Sequence, residues 1–429
     1  MGSKRRRLGI EAPAAGWYVL KDAGAVVEIK GGNYSDTLNG VDTRSTTGAI
    51  KIAKWGQDNQ LPQRMLKLVG QNHLKPQLIK TDRDFLLGTR LGLFRKVTDK
   101  GKVIFEPTEV PEMEDWAEMV ELDKFMRGIT YNYSYFNNYF AGVSLSSKKK
   151  VENLVNWDAT EVRAEIIMNN QRRIEHYYLH PTWRNVKADD VSKVKAFDRR
   201  DPFRHHEFIY HGRDWTPGQP YYDVAAWWGT AEWTEVSNLI PIFHKNGLKN
   251  GYNIKYHIKI PLNYFDQFKT EKEKRAEEYR LAEQMNNMLS GVENPDKTFV
   301  SKYGTEPGTG KAMPGWTIEP IENKMSDDAY SKVNDQANIA HASGHGIDPS
   351  LAGIDTGGKM GGSGSEKRIS AQNHIAYRTP TPRKILLEIL HICNKINGFD
   401  RDIVWGFEDA QVTTLDVNPT GTQNVKINQ

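Results

Sequence analysis

Between Gly353 and Ser365 the chain places six glycines in thirteen residues, and it does so between two long stretches of helical pattern. Ser326 to Ser343 contains neither Pro nor Gly, and Ala329, Val333, Ala337, Ile339, Ala340 and Ala342 fall at helical spacing, with Asp327 and Asp328 in the first turn where they favour the helix dipole. The pattern predicts a helix of about 18 residues, roughly 30 Å long. Gly344 and Gly346 end it, just before Ile347-Asp348-Pro349-Ser350-Leu351-Ala352-Gly353-Ile354. In Thr356 to Ser365, Gly357, Gly358, Gly361, Gly362 and Gly364 oppose any regular structure and leave Lys359 and Met360 on a flexible tip. Helix resumes at Glu366, carries Lys367 and Arg368, and meets the Thr379-Pro380-Thr381-Pro382 break. Beyond it Ile385, Leu386, Ile389, Leu390, Cys393 and Ile396 form an apolar face closed by Asn397-Gly398. Taken alone, such a loop reads as a surface insertion.

The 429 residues allow two to four substructures with a sizeable core. A hydrophobic share of 38% and a mean hydropathy of −0.65 lie on the polar side for a compact monomer and suit an elongated or ring-forming subunit. A net charge of +4 lacks the basic excess of a protein that grips nucleic acid tightly. The single Cys393 sits on an apolar helix face, so it reads as a small buried hydrophobe in a reducing compartment. There is no run of 18 apolar residues and no apolar segment behind Lys4 to Arg7, so neither a membrane span nor a signal peptide is expected. Lys4 to Arg7 itself reads as a solvated terminus, with a nucleic-acid arm as the other reading.

Residues 8 to 54 form a polar arm with strand-like pieces, which either wraps a neighbouring subunit or is disordered. Trp55 to Pro62 turns into a helix containing Met65, Leu66, Leu68 and Val69, and a second helix covers Leu74 to Leu87. Strands follow at Leu91 to Phe94 and Val103 to Phe105. Met113 to Tyr139 is helical in pattern and rich in aromatics, among them Phe125, Tyr131, Tyr133, Tyr135, Phe136, Tyr139 and Phe140. Only Lys124 and Arg127 interleave them, which favours a buried core over a base-stacking surface. Val151 to Trp157, Glu161 to Met168, Arg172 to Leu179 and Glu207 to Tyr210 alternate between turn signals and read as an antiparallel sheet. Thr230 to Lys249 is one long helix bent at Pro241. Residues 250 to 325 make a small α/β excursion with strands at Asn253 to Pro261, Thr298 to Tyr303 and Trp316 to Ile321, and a charged helix at Thr270 to Leu289. The fold class is α+β.

Enzyme motifs fail on spacing. Gly304-Thr-Glu-Pro-Gly-Thr-Gly-Lys311-Ala312 resembles a phosphate loop, but the spacing is one residue too long and Ala312 stands where a magnesium-binding hydroxyl is required. His341 and His345 share a helix face, but Ala342 occupies the position of the general-base Glu. His205-His206 reads as a surface pair. Asp189-Asp190 and Asp327-Asp328 are adjacent pairs whose side chains diverge, so no two-metal nuclease site is indicated. No catalytic residue, metal or cofactor is expected.

The order of parts from residue 55 to 396 resembles the portal proteins of tailed bacteriophages. The resemblance rests on Trp55-Gly with Leu61-Pro62 and two helices, on Leu154 to Arg163 and Trp215 to Trp228, and on a helix followed by Gly346-Ile-Asp-Pro349-Ser-Leu351-Ala-Gly353-Ile and a glycine-rich loop. It implies a portal fold: an N-terminal arm (1 to 54), a wing (55 to 229), stem helices (230 to 250 and 326 to 347), a clip (251 to 325), a tunnel loop with a long helix (348 to 396) and a C-terminal segment (397 to 429). It further implies a homo-oligomeric ring, a dodecamer in this family, at one capsid vertex of the virion, assembled in the host cytoplasm. Double-stranded DNA is packaged and ejected through its channel. The partners implied are the terminase large subunit, a head-tail adaptor and the major capsid or scaffold protein, with no membrane. On this view Lys359, Met360, Lys367 and Arg368 face DNA, the loop glycines give flexibility, Pro349, Leu351 and Gly353 shape the helix-loop turn, and Pro241 kinks the stem. Near-neutral charge suits a channel through which DNA slides. The rival readings are a head-tail connector or minor capsid protein without a channel, and a DNA-processing NTPase.

Overall fold

The computed structural model describes residues 50–167, 173–184, 186–250, 269–277, 279–280, 327–354 and 364–409, with short strand segments outside them. In chain order these elements are β1 (Ile10–Ala14), β2 (Trp17–Leu20), β3 (Ala25–Glu28), β4 (Arg44–Thr47), β5 (Ile50–Ala53), α1 (Leu61–Gly70), α2 (Lys75–Leu87), β6 (Arg90–Asp99), β7 (Lys102–Pro107), α3 (Pro111–Met119) and α4 (Leu122–Phe136). Then come β8 (Asn138–Leu145), β9 (Val151–Trp157), β10 (Val162–Ala164), β11 (His176–Leu179), β12 (Ser192–Lys195), β13 (Glu207–Arg213), α5 (Ala231–Asn250), β14 (Tyr256–Lys259) and β15 (Thr317–Pro320). The last are α6 (Asp327–His345), α7 (Gly364–Arg378), α8 (Pro380–Asn397) and β16 (Ile403–Glu408). Every strand pairing within the sheets is antiparallel, as the alternating segments require. The class is α+β. The chain divides into two compact units.

The first unit comprises residues 1–67, 79–228 and 372–429. Its core lies under the sheet β13-β8-β9, where β8 is buried along nearly its whole length with α4 and α8 packed against the sheet. Tyr139 donates its hydroxyl to the Ile385 carbonyl at 2.8 Å, and its ring lies over Gly212, its register partner, where any Cβ would overlap the ring. A second sheet, β16-β6-β7, joins the core through Leu93, Ile403 and Trp405. The aromatic run is largely buried: Phe125, Tyr133, Phe136, Tyr139 and Phe140 are all in the core.

That run is not one helix. It breaks at Glu121 and again at Asn137, both left-handed (φ 49° and 53°), and Tyr139 and Phe140 belong to β8. Because β8 is covered on both faces, consecutive aromatics are buried there as they would be in a helix core.

Arg163 is the largest fully buried side chain of this unit. Its guanidinium donates to Asn59 Oδ1 (2.6 Å) and to the carbonyls of Asn59, Val162 and Thr160, and lies between the rings of Trp55 and Trp183. Burial lowers its pKa to about 10, still protonated at neutral pH. Trp55 in turn stacks on Tyr222 at 4.3 Å, which ties the first described turn to residues 221–223.

The second unit comprises residues 68–78 and 229–371. α5 and α6 run antiparallel: Phe243 stacks on Tyr330 at 4.8 Å at one end, and Thr230 meets Gly344 at the other, too close for a Cβ. The β14-β15 hairpin pairing (Ile258 with Ile318) lies between them in sequence. Among the described residues no helix is long and apolar enough to cross a membrane.

Candidate functional site

The helix α6 and the turn after it carry the site that the sequence singles out, and their geometry follows from a few residues. α6 ends in a Schellman cap: Gly346 (φ 64°) donates to Ser343 O at 2.9 Å and Ile347 donates to Ala342 O at 3.0 Å. The cap turns Ile347 inward against Leu74 and Leu78, with Leu351, Ala352 and Ile354 completing the cluster. A second turn repeats the device. Asp348 Oδ1 accepts from Ser350 N (2.9 Å) and Oγ (2.6 Å), and Ile354 donates to Pro349 O (3.0 Å) across Gly353 (φ 70°). The Ser350 hydroxyl holds the Asp348 carboxyl below its ordinary range. Pro349, Leu351 and Gly353 thus fix where the chain leaves α6: one supplies the carbonyl, one the apolar anchor, one the left-handed residue.

Lys359, Met360, Gly357, Gly358, Gly361 and Gly362 lie outside the described residues, as do Thr298 to Tyr303 and Gly304 to Ala312. α7 starts at Gly364, two residues earlier than the pattern predicts, since a helix's first turn tolerates Gly and Ser. Lys367 is exposed on that first turn and Arg368 half-buried.

α5 presents the reverse of ordinary amphipathicity. Its inward face is small and polar: Ala231, Thr234 and Ser237 are buried. Asn238 donates to Leu68 O (3.1 Å) and accepts from Asn72 (2.9 Å). Its apolar residues point out, Leu239 at 61% and Ile242 at 52% exposure, with Trp233, Val236 and Phe243 also exposed and Ile339 exposed on α6. Pro241 is exposed on the same helix, which continues through it to Asn250. The pattern Val236, Leu239, Ile242, Phe243 was readable as a helix face, but sequence reasoning assigns such a face to the core.

Behind the capped end of α6 the His341–His345 pair is joined by Lys75, which the sequence did not flag. Lys75 Nζ donates to Thr230 Oγ1 (2.6 Å) and meets His345 Nε2 at 3.4 Å. Burial brings the Lys75 pKa down to about 7. Burial, then the Lys75 charge, then His341, press the His345 pKa well below its usual value. His341 is fully buried; its one polar contact is with the Trp233 backbone, and neither ring nitrogen makes a well-formed hydrogen bond. Burial, with Lys75 and His73 adding repulsion, lowers its pKa to about 4.

Among the described residues one other group, Glu165, Glu175 and His176 in the first unit, brings ligand atoms together. Its Glu165 oxygens already accept from Tyr178 and Lys193 (both 3.2 Å) and meet His176 Nδ1 at 2.7 Å, so this is a structural network. His205 and His206 sit in the loop before β13, Asp189 and Asp190 in an exposed turn, and Cys393 is buried, its thiol pushed up to about 12.

No family model matches the chain, and no curated protein matches it. Solved structures do. A chain of the neck of a native gene transfer agent particle, computed with C12 symmetry, superposes with a TM-score of 0.56 at 14% identity, covering 87% of this chain and 89% of that one. Chains of the native virion of such a particle and of the neck of an empty particle, computed with C6 symmetry, match with TM-scores of 0.55 and 0.54 at 14% identity, each covering 83% of this chain and 86% of the other. The chain therefore has the fold of these particle chains across most of its length.

Proposed function

We propose that the protein is a portal subunit of a phage-like particle, a ring former at the capsid vertex whose channel passes double-stranded DNA during packaging and ejection. The observation that carries this reading is the fold likeness, over more than four-fifths of the chain, to chains from a neck computed with twelve-fold symmetry. α5 supports it independently. Five exposed apolar residues on a helix whose polar stripe is buried are costly in water, at roughly 25 cal/mol per Å² of apolar surface, and a neighbouring copy in a ring would cover them.

On this reading α5 and α6 are the stem, residues 251–325 the clip that docks the terminase motor and later the tail adaptors, and Thr356 to Ser365 the tunnel loop, its last two residues being the start of α7. Lys359, Lys367 and Arg368 would meet phosphates as point charges, weakly and without reading sequence. The capped turn from Gly346 to Ile354 gives each loop the same exit, so that copies of it can face one axis. No catalysis is assigned; the motor supplies the work. Electron microscopy of the purified protein tests the reading. Rings with a central hole support it, and a uniform population of solid particles or monomers at micromolar concentration overturns it.

A further inference from the structure

The β6-β7 ribbon is an open edge in the first unit. Among the described residues β7 pairs only with β6 and is exposed at every one of its six positions, including Val103 (50%) and Phe105 (56%). The register places Lys96 with Phe105 and Thr98 with Val103, so these four share one face of the ribbon, and the turn at Lys100 and Gly101 has both residues left-handed. Lys96 and Lys100 are exposed, and neither joins an ion pair among the described residues; Lys102 lies opposite Asp99 on the other face of the ribbon, which also carries Glu106. An exposed apolar edge strand is an aggregation hazard unless something covers it.

The same chain carries a surface of opposite character. α3 buries Met113 and Trp116, and turns Glu112, Glu114, Asp115 and Glu118 to solvent beside Met119, which is 59% exposed. None of these four carboxylates joins an ion pair among the described residues either, the nearest pairs in sequence being Glu121 with Lys124 and Asp123 with Arg127. A cationic, apolar edge and an anionic helix with an exposed methionine are complementary in both charge and polarity. Being different patches of one chain, they can pair head to tail, and a head-to-tail contact closes into a ring when its rotation allows.

We propose that the β6-β7 ribbon docks on the acidic face of α3 of the next copy, as a subunit contact additional to α5. This rests on the ring reading above and names one of its interfaces. Phe105, Val103 and Met119 supply apolar contact, while the lysines and carboxylates set orientation. The contact weakens as salt rises.

Charge exchange tests it. The ribbon variant Lys96→Glu with Lys100→Glu, and the helix variant Glu114→Lys with Glu118→Lys, each alter exposed positions only, so circular dichroism should match the unchanged protein. In sedimentation velocity at 0.15 M salt each variant alone should associate about a hundredfold more weakly and run as small species. An equimolar mixture of the two, and a chain carrying all four changes, should both re-form the ring. Rings from either variant alone, or a mixture no better than its components, overturn this contact while leaving the portal reading standing. Absence of rings from the unchanged protein removes the ring reading and this contact with it.

Discussion

Replacing His341 by Leu should make the α5-α6 packing more stable, and increasingly so as the pH falls. At neutral pH the change removes a buried imidazole whose nitrogens make no well-formed hydrogen bond, a gain of at most about 1 kcal/mol, reduced by the lost contact with the Trp233 backbone and by imperfect packing of the new side chain. Acid widens the difference further. The His341 pKa falls from 6.5 to about 4 on folding, so the unfolded chain takes up a proton through pH 6.5 while the folded one resists until about pH 4. Stability is therefore lost as pH falls between those values and levels below the lower one. From pH 7 to pH 5 the loss assigned to this group is about 2 kcal/mol, or roughly a thirtyfold drop in amide protection. Hydrogen exchange of peptides from 337–347, corrected for intrinsic rate, reads it locally in each protein. His345 is coupled to His341, so the difference between the two proteins reads His341 together with its effect on His345. Parallel profiles for the two proteins would show that His341 carries no such pH dependence.

Other outcomes follow from the same contacts. Ile347→Ala should lower protection across the α6 cap by about 2–4 kcal/mol, since the side chain is buried with Leu74 and Leu78; native-state exchange measures it. Gly344→Val should disrupt the pairing of α5 with α6, because even a Cβ there overlaps the Thr230 side chain; exchange in 231–238 should rise while the first unit is unchanged. Leu239→Asp with Ile242→Asp should leave the melting of the subunit within about 0.5 kcal/mol and abolish rings by electron microscopy, both residues being exposed.

The helices were legible because their ends are punctuated. Gly346 closes α6, which runs on through Gly344, Pro380 and Gly398 bracket α8, and these residues act locally, as caps and breakers do. β16 was missed for the opposite reason. Ile403–Glu408 pairs with Arg90–Arg95 more than 300 residues away, and Gly406 interrupts an alternation too short to stand alone. The break at Asn137 is equally hidden, since a left-handed residue other than glycine leaves little trace in the pattern. Arg163 reads as a surface charge on a strand; only the assembly of Asn59, Trp55 and Trp183 around it makes it a core residue. The turn residues Pro349, Leu351 and Gly353 were visible as a motif, and their geometry supplies the reason. The outward apolar face of α5 was not, because a single chain's pattern does not say whether an apolar stripe meets its own core or a neighbour.

If the protein is a portal subunit, the capped end of α6 must direct the glycine-rich segment around Lys359 toward the axis of a ring. A cryo-EM reconstruction of the assembled particle reads this out. The expected result is a closed ring in which Lys359 of every copy lies next to the central channel and α5 is covered by the adjacent subunit. Lys359 on the outer rim, or α5 facing solvent in the assembly, would be incompatible with the portal reading.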